Sequence, residues 1–110
     1  MVKVFKDSVL PEDIIKLQEE YPGYIKVVVD LRNNWIAAGG EYHVDCEQLL
    51  ADEGSSHADM WGGGYSVSTK EVDYFAMSNY RPADGRVTYE IADQRIRNQF
   101  KIIVESFFNK

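Results

Sequence analysis

Glu41, His43 and Asp45 stand two residues apart, just after the glycine pair Gly39-Gly40 in the stretch from Trp35 to Asp45. An extended backbone would present all three on one face. An imidazole between two carboxylates suits a metal ion, with His57 and Asp59 as further donors. It also suits hydrolysis, in which an acidic partner assists the ring as general base. Strand spacing works against the metal, because same-face neighbours lie roughly 6.5–7 Å apart unless the glycines bend the chain. Cys46, in the first turn of an expected helix, would be a nucleophile with His43 as base, or else an inert packing residue. A third use is a pocket without turnover. There Glu41, His43 and Arg81 hold a ligand's charged group, with Asp45 beside them and Trp61 and Tyr80 as flat walls.

Each of these residues also has a plain structural role available. Asp45 followed by Gln48 reads as a helix N-cap with a capping box, and Val44 is placed to staple onto Leu49. Trp61 and Tyr80 would serve as core, Arg81 as the ion-pair partner of Glu41 or Asp45, and His43 as a satisfied structural histidine.

The elements that must position these groups follow from periodicity. Val2, Val4 and Phe5 suggest a short first strand. Pro11 with Glu12 and Asp13 opens a helix whose stripe is Leu10, Ile14, Leu17 and Tyr21, stopped by Pro22-Gly23. Ile25, Val27, Val29 and Leu31 then alternate as a strand, turning at Arg32-Asn33-Asn34 into a second strand from Trp35, so the two should form a hairpin. In an extended reading Ile36, Ala38, Tyr42 and Val44 share one face, and Trp35, Ala37, Glu41 and His43 the other. A short helix from Asp45 ends near Gly54.

The run from Asp59 to Val67 reads as a strand interrupted by Gly62, Gly63 and Gly64. It lacks the Lys-Ser/Thr ending of a phosphate loop, so a bulge or room for a neighbouring ring is the expected reason for the glycines. Val72 to Arg81 reads as a further aromatic-rich strand. Asp93 caps a last helix in which Ile96, Phe100, Ile103 and Phe107 recur, with Val104 beside them and Arg95, Arg97 and Lys101 on the wet side. The expectation is an α+β fold. Its largely antiparallel, four- to five-stranded sheet carries the N- and C-terminal helices on one face and a short helix in the middle of the chain.

Length and charge narrow the function. At 110 residues the chain is expected to form one domain over residues 1–110. The start lacks a signal-peptide core and no run reaches the ~20 apolar residues of a membrane span, which points to the cytoplasm and away from a membrane. A single cysteine excludes an internal disulfide. The net charge is −6, and from Asn33 to Thr69 there is no Lys or Arg, whereas six acids fall there, Glu41 and Asp59 among them. Such a segment repels phosphate backbones, so nucleic acid is a disfavoured partner. It favours a cation or a basic protein, or is simply a solvated face.

Taken in order, Gly39-Gly40-Glu41-Tyr42-His43-Val44-Asp45, Gly54-Ser55, Asp59-Met60-Trp61-Gly62 and Tyr80-Arg81-Pro82 resemble a family of small prokaryotic proteins known only as a domain of unknown function. Its members share a Gly-Gly-Glu-x-His-x-Asp core, a Gly-Ser, a Trp-Gly and an Arg-Pro. The similarity runs from the first strand to the last helix. Cys46, the triple glycine and the loop after Pro82 fall outside the shared pattern. The resemblance implies an uncharacterised protein and no activity.

The reading is therefore a binding module for a small molecule or a protein partner, with Glu41, His43, Asp45, Trp61 and Arg81 as the ligand-binding set. No catalytic residue, cofactor or metal ligand is assigned. The competing class is a hydrolase-type enzyme using His43 with an acidic partner, with or without a metal's assistance. A third is an acidic interaction or inhibitory protein that takes a basic partner.

Overall fold

A computed structural model describes residues Met1–Asn109. The elements are β1 (Val2–Phe5), α1 (Pro11–Leu17), β2 (Tyr24–Asp30), β3 (Trp35–Gly39), α2 (His43–Asp52), β4 (Met60–Ser66), β5 (Val72–Asp73) and α3 (Gln94–Phe108). The five strands form one antiparallel sheet in the order β1-β3-β2-β4-β5. The fold is α+β as expected, and the terminal helices do share a face. Leu17 of α1 and Phe100, Val104 and Phe107 of α3 join Ile25, Val27, Val29, Ile36 and Ala38 in the larger core. The opposite face is covered by α2, whose Cys46 and Leu50 pack on Val28, Ala37 and Met60. The alternation in β2 thus feeds two cores: its odd positions face α1 and α3, and Val28 faces α2.

Capping explains where the helices begin and end. The Asp93 carboxylate accepts from the N–H of Arg95 at 2.8 Å and of Ile96 at 3.2 Å, so α3 starts where the sequence says. Helix α1 stops short of Pro22-Gly23. The Gln18 amide donates to the Ile14 carbonyl at 3.0 Å and accepts from the Gly23 N–H at 2.9 Å, folding the chain back.

The β2–β3 hairpin is tied from below by Asp30, which is fully buried. One carboxylate oxygen accepts from the N–H groups of Arg32 and Asn33 at 2.9 and 3.1 Å. The other accepts from the Asn33 amide at 2.8 Å and from the Ser55 hydroxyl. Burial pushes this carboxyl upward, but the donors outweigh it and hold the group below the ordinary range. A depressed folded value contributes stability above the unfolded value, about pH 4, that is lost as pH falls through the folded one. Urea titrations at falling pH should therefore show stability dropping below about pH 4, and Asp30→Asn should flatten that slope. An unchanged slope in the variant would remove Asp30 from the acid response.

Two expected strands are shorter than their patterns suggested. β3 ends at Gly39 because Gly39 and Gly40 take left-handed conformations, with φ of 91° and 77°, and turn the chain into α2. The segment expected as a strand from Val72 to Arg81 joins the five-stranded sheet, among the described residues, at Val72–Asp73 alone. It then runs through 3₁₀ turns at Met77–Asn79 and Pro82–Asp84 and returns at Glu90 to bridge Phe75. No helix among the described residues is long and apolar enough to cross a membrane.

Candidate functional site

The triple glycine explains how the two faces of β4 are filled. A Cβ on Gly64 would strike the Tyr24 ring. One on Gly63 would stand 2.8 Å from Phe100 Cζ, and one on Gly62 would stand 2.7 Å from Ala76 Cβ, 3.2 Å from His43 Cδ2 and 3.3 Å from Ser78 Oγ. The glycines make room for rings, the second of the two reasons expected. On the α2 side they bring His43 and Ser78 together over a bare backbone.

Between α2, β2 and the segment after β5 lies a cavity of about 260 Å³. The start of α2 contributes Tyr42, His43 and Val44. Tyr24 and Lys26 come from β2, and Phe75, Met77 and Ser78 from the returning segment. His43 is half-buried and its Nε2 donates to the Gly63 carbonyl at 2.7 Å. That bond fixes the tautomer and leaves Nδ1 with a free lone pair. Burial, reinforced by the Lys26 charge, pushes the imidazole pKa down against the opposing pull of the Gly63 carbonyl and Asp73, so the ring is neutral at physiological pH. The Ser78 hydroxyl oxygen is buried and has no hydrogen-bond partner among the described residues. Tyr24 donates to Asp73 Oδ2 at 2.8 Å, while Asp73 Oδ1 accepts from the Phe75 N–H at 3.2 Å.

The five residues expected to form one site do not meet on one surface. His43 lines the cavity. Trp61 lies on the other face of the sheet, packed against the larger core, with the Arg86 guanidinium 3.6 Å from its ring centroid. Arg81 pairs with Glu47 at 3.3 Å and Asp84 at 3.5 Å, in place of the expected Glu41 or Asp45. Glu47 is buried there, and burial pushes its carboxyl upward against the pull of Arg81. Glu41 is exposed in the turn before α2, where its main-chain carbonyl accepts from Lys26 Nζ at 2.5 Å.

Asp45 is also exposed, two residues inside the helix rather than at its cap. The N-cap is Tyr42, which makes no side-chain cap bond. Val44 is exposed rather than stapled to Leu49, and the Gln48 amide bonds Asp52 at 2.9 Å. The reason is common to all of these: the two left-handed glycines start α2 early, so spacing read as strand alternation became the first turn of a helix.

Cys46 is fully buried with its thiol directed to the Gly39 carbonyl at 3.4 Å, and burial pushes its pKa up to about 12. It is a packing residue, not a nucleophile. Among the described residues no group of three or more His, Cys, Asp and Glu side chains is placed to hold a metal ion. Sequence reasoning missed Lys26, Tyr24 and Ser78. The available signal was the glycine run itself, which marks the neighbouring face of β2 as a place where large groups must gather.

A family described as "Protein of unknown function (DUF5674)" matches residues 3–107. Neither a curated protein nor a solved structure matches this chain.

Proposed function

The chain belongs to the DUF5674 family of proteins of unknown function, and from its own geometry we propose that it is a binding module taking a small ligand in the His43 cavity. The observation that carries this is the Ser78 hydroxyl, buried without a partner beside an imidazole whose Nδ1 is uncommitted. A buried unpaired hydroxyl costs about 1–3 kcal/mol, which a ligand's polar group can return when the Ser78 side chain turns into the cavity.

Ser78→Ala is therefore expected to move stability and binding in opposite directions. Removing the unpaired group should raise unfolding free energy by about 1 kcal/mol, while affinity for fragments that shift Tyr42, Val44 and Met77 amide resonances falls about fivefold. Denaturant melts and NMR titration of a fragment set read the two together. Fragments clustering on another surface, or a Ser78→Ala protein that is less stable and binds equally well, would overturn the proposal.

A second reading, docking of a protein partner, is favoured by the exposed rings beside the same cavity. Phe75, Tyr80 and Tyr89 are each about half exposed, with Tyr89 centroids 6.1 Å from Phe75 and 5.5 Å from Tyr80. Contiguous apolar surface of this kind commonly marks an interface. The acidic stretch from Asn33 to Thr69 supports a basic partner over nucleic acid. The hydrolase reading has less support, because the ring is oriented by a carbonyl rather than a carboxylate. The cytoplasm remains the proposed compartment and one domain the proposed organisation.

A further inference from the structure

We infer that the ligand of the His43 cavity is a small monoanion, a carboxylate on a flat apolar body; this rests on the cavity's being the binding site. Among the described residues, Lys26 is the one cation lining it. Its ammonium spends one donor on the Glu41 carbonyl and sits 4.8 Å from the Tyr21 ring centroid and 5.7 Å from that of Tyr42. Two N–H donors remain. The neighbouring carboxylate, Asp73, accepts from Tyr24 and the Phe75 N–H, and among the described residues it makes no ion pair with Lys26.

The second positive contribution is the beginning of α2. Tyr42, His43 and Val44, the N-cap and first two residues of a ten-residue helix, all line the cavity, and no side chain caps them. The positive end of the helix dipole thus lies at the cavity wall, offset in part by the Asp45 carboxylate in the same turn. His43 adds no charge of its own, offering a lone pair to a donor on the ligand. The rest of the wall is Val44, Phe75 and Met77, an apolar surface that disfavours a polyanion and fits a ring or short chain.

The probes are benzoate, methyl benzoate and phenyl phosphate, titrated at millimolar concentration against the whole protein with amide shifts as readout. Benzoate should shift Tyr42, Val44 and Met77 and bind about tenfold more tightly than methyl benzoate, which has the same body without the charge. Lys26→Met should remove that difference, and added salt should narrow it in the native protein. Methyl benzoate binding as well as benzoate, phenyl phosphate binding more tightly than either, or an unchanged preference in a folded Lys26→Met protein would each overturn the inference while the cavity stands as a site. If no probe, charged or neutral, shifts these residues, the cavity reading falls and the inference with it.

Discussion

Replacing Asn79 by Asp should destabilise the protein by roughly 4 kcal/mol at neutral pH, and by less as the pH is lowered. Asn79 is buried to 1% exposure and its amide does the work of a missing strand. Oδ1 accepts from the Gly62 N–H at 2.8 Å, and Nδ2 donates to the Gly62 carbonyl at 3.0 Å and the Tyr89 carbonyl at 3.1 Å. β5 pairs only with Gly64 and Tyr65, so without this side chain both main-chain groups of Gly62 would be buried unpaired. A carboxylate keeps the acceptor but sets a charge against carbonyl oxygens, and protonation relieves that, which gives the pH dependence its sign. Because Asn79 also holds the segment carrying Phe75, Met77 and Ser78, hydrogen exchange there should accelerate with the loss of stability. A variant within about 1 kcal/mol of the native protein in denaturant melts would mean that the amide is not standing in for a strand.

Gly63→Ala should cost about 3 kcal/mol, because its Cβ would meet the Asp73 carbonyl on one side and Phe100 on the other. Gly64→Ala should cost a similar amount by striking the Tyr24 ring, and Tyr24→Ala in that background should return part of the loss. Gly85 provides the control. It has φ of 76° and open space around its Cα, so Gly85→Ala should cost only about 1–2 kcal/mol, from backbone strain. Chemical denaturation of the series separates the two origins. Equal costs at Gly63 and Gly85 would defeat the steric account.

Much of the scaffold was legible because its signals are local. Branched residues at Ile25, Val27 and Val29 demand a strand, and Asp93 followed by Ile96, Phe100 and Ile103 demands a capped helix; both are where the sequence puts them. His43 does line a cavity, although the strand geometry read from its spacing is not what puts it there. Alternating polar residues over five positions fit a strand and a helix start equally, and only the φ values at Gly39 and Gly40 decide between them. The aromatic run from Tyr74 to Tyr80 had every property of a strand. It was replaced in that role by a single amide whose partners are 5 to 17 residues away, a tertiary solution with no periodic trace. Trp61 packs on the larger core, whereas its neighbour in β4, Gly62, is the residue that faces His43, so alternation in β4 keeps the two apart.

The three bare positions in β4 also protect the sheet against slippage. Moving β4 by one residue along β2 would turn every side chain to the wrong core. Moving it by two in either direction would carry Trp61 or Tyr65 into the place of Gly63, directly beneath Phe100. One alignment leaves that space empty. The chain thus encodes which residues face each other through an absence of side chains, and a strand with little to contribute to packing becomes the one least able to mispair.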